Sequence, residues 1–209
     1  KQLQKKYRIR DDAVEALLDE GDPEKLWVRV CKMRYLLKDS LHMPGDAGRV
    51  EAIVVKQCKK NGYRIENIIL KDDRNYVIPV NVYVPETGIF PCPAVLVSTG
   101  HSLKGKLLPE NQILCANLAL CGIIAATYDP VCQGERTPYT KRELKQRFGT
   151  VPEDMEVVNL HMQPGNLCYL LGENLGGLFV RDSMRVVDYL CGRTDVDSAR
   201  IGATGQSGG

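Results

Sequence analysis

The residues best equipped for chemistry are the last five, Gly205-Gln206-Ser207-Gly208-Gly209, which read G-x-S-x-G. They follow a short run of small and apolar residues, Arg200-Ile201-Gly202-Ala203-Thr204. Where a strand turns sharply into a helix at this pattern, the serine sits at the tip in a strained backbone conformation, its hydroxyl in the open above a sheet. Glycine is needed at 205 and 209 because a side chain there would collide across so tight a turn. The turn also aims the N–H of Gly208 at the oxyanion that forms when a carbonyl is attacked. The chemistry expected is acyl transfer through Ser207.

Such a serine needs a strand to carry it and a helix before that strand. Between Leu178 and Cys191 the apolar residues Val180, Met184, Val187 and Cys191 have helical spacing, which predicts a helix with that face packed on a sheet. A polar turn, Arg193–Ser198, links it to the strand. Further upstream, Tyr63–Leu70 and Tyr76–Val84 flank the turn at Asp72–Asn75. In the second, Ile78, Val80, Val82 and Val84 alternate with Pro79, Asn81 and Tyr83, as in a half-buried antiparallel strand. Ala94–Ser98 is a continuous apolar run suited to a central strand. A helix at about Glu110–Cys121, ended by Gly122, and a strand at Ile123–Tyr128 follow it. Strand, helix and strand with short links argue for a parallel α/β sheet.

From Asp129 to Gly177 only a short helix near Lys141–Phe148 is expected, and the rest reads as a functional wall or lid. At the other end, Asp22-Pro23-Glu24 is a helix start, with a capping side chain and proline at the first helical position. Leu26, Val30, Met33 and Leu37 form its stripe, and a shorter helix from about Asp12 ends at Gly21. The expected organisation is an N-terminal helical extension over residues 1–48, packed on a main domain over 49–209.

Composition narrows the partners. A net charge of +2 is too small to argue for nucleic acid or an acidic membrane surface. No apolar run reaches the length of a membrane span, and no signal-peptide pattern is present. The 8 cysteines contain no C-x-x-C pair, which argues against a zinc site; they are read as reduced and structural, favouring a cytoplasmic location. Lys1 in place of methionine gives the expectation that residue 1 is not the natural start.

One loop admits two uses. Gly100-His101-Ser102-Leu103-Lys104-Gly105-Lys106 matches the phosphate-cradling G-x-x-x-x-G-K, after a buried strand and before a helix, and Asp129 ends the next strand as a magnesium-holding partner would. Against a nucleotide-binding protein, Leu107 stands where Ser or Thr would ligate the metal, and Glu110 would repel phosphate. The alternative is an oxyanion loop opposite the nucleophile. Its leading donor is then the N–H of Ser102, with Leu103 as the fallback, and His101 shapes the loop.

From about Gly62 onward the sequence resembles the α/β-hydrolases of the acetyl-xylan-esterase and dienelactone-hydrolase-like group. The resembling segments are Tyr63–Glu66, Val82–Pro85, Pro93–Leu96 leading to Gly100-His101, Tyr128–Arg136, Leu170–Asn174 and the terminal G-x-S-x-G, in that order. The resemblance implies an α/β-hydrolase fold with a mostly parallel central sheet and helices on both faces, of which this chain would be the N-terminal part. It also implies a Ser–His–acid triad, no metal or other cofactor, and carboxylic-ester substrates, often acetyl groups on plant polysaccharides. Residues Asp129–Arg136 resemble the loop that approaches the active site, with Cys132 where that loop usually has glycine. His101, Glu135, Arg136 and His161 are therefore substrate-pocket candidates, His161 as a wall or structural residue.

In this fold the triad runs Ser, acid, His along the chain. His42, His101 and His161 all precede Ser207, so both partners are expected beyond residue 209, and the 209 residues alone are expected to be inactive with an unpaired sheet edge. A non-catalytic binding module on the same fold is the third class left open.

Overall fold

The alternation read along residues 78–84 is what organises the sheet. In the computed structural model, which describes residues 21–42, 50–72, 76–149 and 153–209, strand β3 (Val77–Pro85) sends Ile78, Val80, Val82 and Val84 into one core. Tyr83 points into a second core on the opposite face. Each valine, fully buried, contributes about 1.5–3 kcal/mol. Strand β2 (Tyr63–Asp72) pairs antiparallel with β3, Ile68 opposite Val80. On its other side β3 pairs antiparallel with β5 (Ile124–Tyr128), Val82 opposite Ala126.

The parallel pairings lie on the two sides of β4 (Cys92–Ser98), with β5 on one and β6 (Val196–Gly205) on the other. With β1 (Val50–Lys59) paired antiparallel to β2, the order is β1-β2-β3-β5-β4-β6, a mixed six-stranded sheet. Helix α2 (Pro109–Leu120) connects β4 to β5 and packs Cys115 and Ala119 against Tyr83, Val97 and Ala125. Helix α5 (Leu175–Cys191) precedes β6 and packs Val186 and Leu190 on the opposite face, against the core of Val80, Leu96 and Ala126. Helices thus cover both faces. The chain divides into two compact units, Lys1–Met43 and Pro44–Gly209. Within the first, helix α1 (Pro23–Ser40) is capped by the Asp22 carboxylate, which accepts from the N–H groups of Glu24 and Lys25. The helix expected from about Asp12 lies outside the described residues.

Four elements differ from expectation. Strand β3, expected to be half-buried, is buried on both faces from Ile78 to Pro85, because Asn81 and Tyr83 are covered as well as the valines. The α5 stripe packs only in part: Val187 rests on the core, but Val180 and Met184 are 40% and 42% exposed and Cys191 is exposed, whereas Arg181, Asp182, Arg185, Val186 and Leu190 are buried. Polar residues face inward here because Asp182 is ion-paired with Arg136. Strand β1 was not expected; it is exposed along most of its length, and a bulge between Val54 and Lys56 breaks its period of two. Helix α4 (Glu153–Leu170) fills much of the segment read as wall, besides the short helix α3 (Lys141–Phe148). Pro164-Gly165 inside α4 hides a helical face of Val157, Leu160, His161 and Cys168.

The start of β6 is tied to β2 by charge. Arg193 donates to Glu66 at 2.7 Å and, bidentately, to Asp195 at 2.8 and 2.7 Å, while Arg64 reaches the other Glu66 oxygen at 3.0 Å. Burial pushes the Asp195 carboxyl up, and the hydrogen bonds and charge of Arg193 more than reverse this, leaving it below the usual value. Arg193→Met strips the buried Glu66 of its stronger partner and is expected to cost about 3 kcal/mol in urea denaturation. Because the folded Asp195 is depressed, this advantage of the native residue is full above about pH 4 and shrinks as pH falls toward the folded value. Equal stability of the two proteins at pH 7 would contradict this.

Candidate active site

Strand β6 ends at Gly205, and two residues later Ser207 adopts φ +56°, the left-handed conformation that a residue with a Cβ seldom takes. The contacts around it explain why it is held. A Cβ on Gly205 would overlap the backbone of Gly209, and one on Gly209 would overlap the carbonyl of Ser98 at the end of β4. The N–H of Gly209 donates to Gln206 O at 2.9 Å, closing the turn. Ser207 is exposed.

The loop after β4 lies directly against this turn. A Cβ on Gly100 would be 2.8 Å from Gln206 O and 3.5 Å from the Ser207 Cβ. One on Gly208 would be 2.7 Å from Cε1 of His101, so the His101 ring abuts the residue after the serine. Beside it a cleft of about 290 Å³ opens at the C-terminal ends of β4, β5 and β6. That is where ligands bind in open α/β sheets. Ser98, Thr99 and Tyr128 form its floor, Pro130 and Gln133 one wall, His161 of α4 and Phe179, Val180 and Ser183 of α5 another, and Gly208 and Gly209 its edge.

His101 and His161, both expected at the pocket, line it. Their rings lie 5.2 Å apart, and His161 also packs on Phe179 at 5.1 Å. His161 Nε2 lies 2.9 Å from Val131 O. Burial holds the His161 imidazole below the usual histidine value; the bond to Val131 opposes this and the nearby His101 adds to it. Neither histidine hydrogen-bonds Ser207. Tyr128 and Ser183, whose hydroxyls lie 2.7 Å apart inside the cleft, carry no site role in the sequence reading. Tyr128 ends a run read as buried strand and opens the resembling Tyr128–Arg136 segment without a role of its own, and Ser183 lies on a helix face judged from its apolar members.

The other candidates do different work. Glu135 and Arg136 are not in the cleft. The Glu135 side chain is 69% exposed and pairs with Lys106. Arg136 is turned inward to Asp182 and to the Asp129 carbonyl, with its guanidinium over the Tyr76 ring at 4.8 Å. The reason is the buried charge of Asp182, which needs a cation more than the pocket does. Ser102 is also displaced from its expected role: its N–H donates to Gln133 Oε1 at 3.2 Å, and the residue is buried. Gln133 itself gave no signal beyond its place in the Tyr128–Arg136 loop. Cys132 keeps the glycine-like geometry of its position, with φ +64°.

The phosphate-cradle reading of the same loop fails on burial. Lys106 is 4% exposed, and its Nζ lies 2.5 Å from Asp129 Oδ2. Its backbone N–H donates to Asp129 Oδ1 at 2.7 Å and that of Glu135 to Oδ2 at 3.1 Å. Gly105 and Gly134, both at positive φ, press on the Asp129 carboxylate so closely that a Cβ on either would overlap it. The lysine and aspartate that a nucleotide would need therefore neutralise each other inside the fold. Among the described residues no group of three or more His, Cys, Asp or Glu side chains is placed to hold a metal ion, and no cysteine is paired.

Two solved structures share the fold of this chain. A candidate acetyl xylan esterase from Bacteroides fragilis NCTC 9343 superposes with a TM-score of 0.65 at 20% identity, over 84% of this chain and 46% of that one. The methylesterase BT1017 does so at 0.62 and 22% identity, over 90% of this chain and 37% of that one. The fold is that of the α/β-hydrolases. The chain spans less than half the length of either structure. No protein-family model matches it, and no curated protein is similar to it in sequence.

Two outcomes check this assignment. Lys106→Met should leave Asp129 buried without its counter-charge and lower stability by about 3–5 kcal/mol, while calorimetry with Mg-ATP should give no binding heat to the native protein. ATP binding lost in the variant would restore the cradle reading. The His161 ring resonance, followed by NMR, should titrate with a midpoint below about 6.5. Since its folded value is depressed, the neutral ring's contribution is complete above about 6.5 and declines as pH falls from there. A midpoint at or above 6.5 contradicts the buried placement.

Proposed function

We propose that the protein is a serine carboxylic-ester hydrolase acting through an acyl-serine, with acetyl-type esters, carbohydrate esters among them, as substrates. The observation that carries this is Ser207: an exposed hydroxyl at φ +56°, on a turn that excludes side chains, beside a cleft at the ends of the parallel strands. Strain at a functional side chain is retained only where the surroundings impose it. The esterase names of the structures that share this fold support the same reading.

In the reaction, Ser207 Oγ attacks the ester carbonyl carbon while a histidine takes its proton. The carbonyl π pair moves to oxygen and is held by the N–H of Gly208 and, in place of Ser102, by that of His101, whose peptide adjoins the serine turn. When the C=O re-forms, the bond to the alkoxide breaks, and the histidine returns the proton to the leaving alcohol. Water then repeats the sequence on the acyl-serine and releases the acid. The histidine and its carboxylate partner lie, on this reading, beyond residue 209, in the order usual for the fold. His101 and His161 shape the cleft.

Treating the complete enzyme with a fluorophosphonate should add its phosphonyl mass to the peptide carrying Ser207. Ser207→Ala should remain unlabelled and lose p-nitrophenyl acetate turnover by about 10⁴-fold or more. Labelling at another residue, or turnover that survives the substitution, would falsify the proposal. Ester binding with neither labelling nor turnover would instead favour the non-catalytic module.

A further inference from the structure

We propose that Gln133 is a positioning residue that aims the second oxyanion donor, an inference that rests on Ser207 being the nucleophile. Gln133 is 1% exposed, and both ends of its side-chain amide bond the loop opposite the serine turn. Its Oε1 accepts from the Ser102 N–H at 3.2 Å, and its Nε2 donates to the Gly100 carbonyl at 3.2 Å. The partners fix the orientation of the amide, because reversing it would set NH₂ against N–H and oxygen against oxygen.

Geometry turns this clamp into a functional statement. Across a trans peptide the C=O and N–H point in opposite directions. Drawing the Gly100 carbonyl toward Gln133 therefore turns the His101 N–H away from Gln133. The Gly100 backbone abuts Gln206 and the Ser207 Cβ, so the freed N–H belongs to the peptide beside the nucleophile. Without the clamp the Gly100–His101 peptide is free to rotate, since glycine permits either orientation.

Gln133 can do this because its own loop is fixed. Its N–H donates to Pro130 O at 3.1 Å in a turn that Cys132 completes at φ +64°. The next residue, Gly134, donates to Leu103 O at 3.3 Å, a second tie between the two loops. Asp129 then locks both ends, through the N–H groups of Lys106 and Glu135.

The test uses the complete enzyme and p-nitrophenyl acetate, with Gln133→Met, which keeps the bulk and loses both bonds, and Gln133→Glu, which keeps an acceptor for Ser102 but repels the Gly100 carbonyl. Both should lower kcat about ten- to a hundredfold with KM within about twofold, and slow fluorophosphonate labelling of Ser207 in parallel. Arg193→Met, destabilised far from the cleft, serves as the control and should keep native kcat at 25 °C. If Gln133→Met does not fold, Gln133→Glu carries the comparison. A kcat within twofold of native in the folded Gln133 variants, or an equal loss in Arg193→Met, overturns the clamp. A native enzyme that is not labelled at Ser207 removes the hydrolase reading itself, and is recognised before any Gln133 variant is compared.

Discussion

A backbone crossing too tight for side chains governs this structure. The end of β4, the loop that leaves it and the turn after β6 meet where Gly209 faces the Ser98 carbonyl and Gly100 faces Gln206. Strand pairing sets that meeting, because Val97 and Ser98 of β4 lie in register with Thr204 and Gly205 of β6. The left-handed Ser207 follows from it. The close approaches at Gly205, Gly209 and Gly100 hold that conformation, whose strain is about 1–3 kcal/mol.

Around that crossing, buried charge does the positioning. Asp129 binds one lysine side chain and two backbone N–H groups, and so joins the loop after β4 to the loop after β5. Arg136 continues inward to Asp182 on α5, coupling the same loop to the helix that leads into β6. Apolar packing could cover the sheet but would not specify these loops to within a hydrogen-bond length. A paired charge does, because a displaced partner leaves an ion unsolvated. The cleft is consequently lined by residues whose backbones are fixed from behind, while His101, His161, Tyr128 and Ser183 face its interior.

Much of this was legible in the residues. The alternation of Val80, Val82 and Val84, the apolar run at Ala94–Ser98 and the G-x-S-x-G after a small-residue strand each report a strong local requirement, and the structure contains all of them. What sequence could not supply was the partner of each charge. Arg181, Asp182 and Arg185 look like the wet side of a helix until Arg136 is seen against Asp182, which is why α5 turns its polar face inward. Lys106 reads as a phosphate ligand until Asp129 is found beneath it. Ser102 lost its expected role to a glutamine thirty-one residues away, a contact that no local pattern announces. Helix α4 was concealed by its internal Pro164, and β1 by its bulge.

The crossing and the proposed nucleophile are tested together by a crystal structure of the protein after reaction with paraoxon. Phosphorus is expected on Ser207 Oγ, with residue 207 still in the left-handed region and the phosphoryl oxygen within about 3 Å of the N–H groups of Gly208 and His101. Phosphorus on a different residue, or Ser207 relaxed to a negative φ with its hydroxyl outside the cleft, would contradict that expectation.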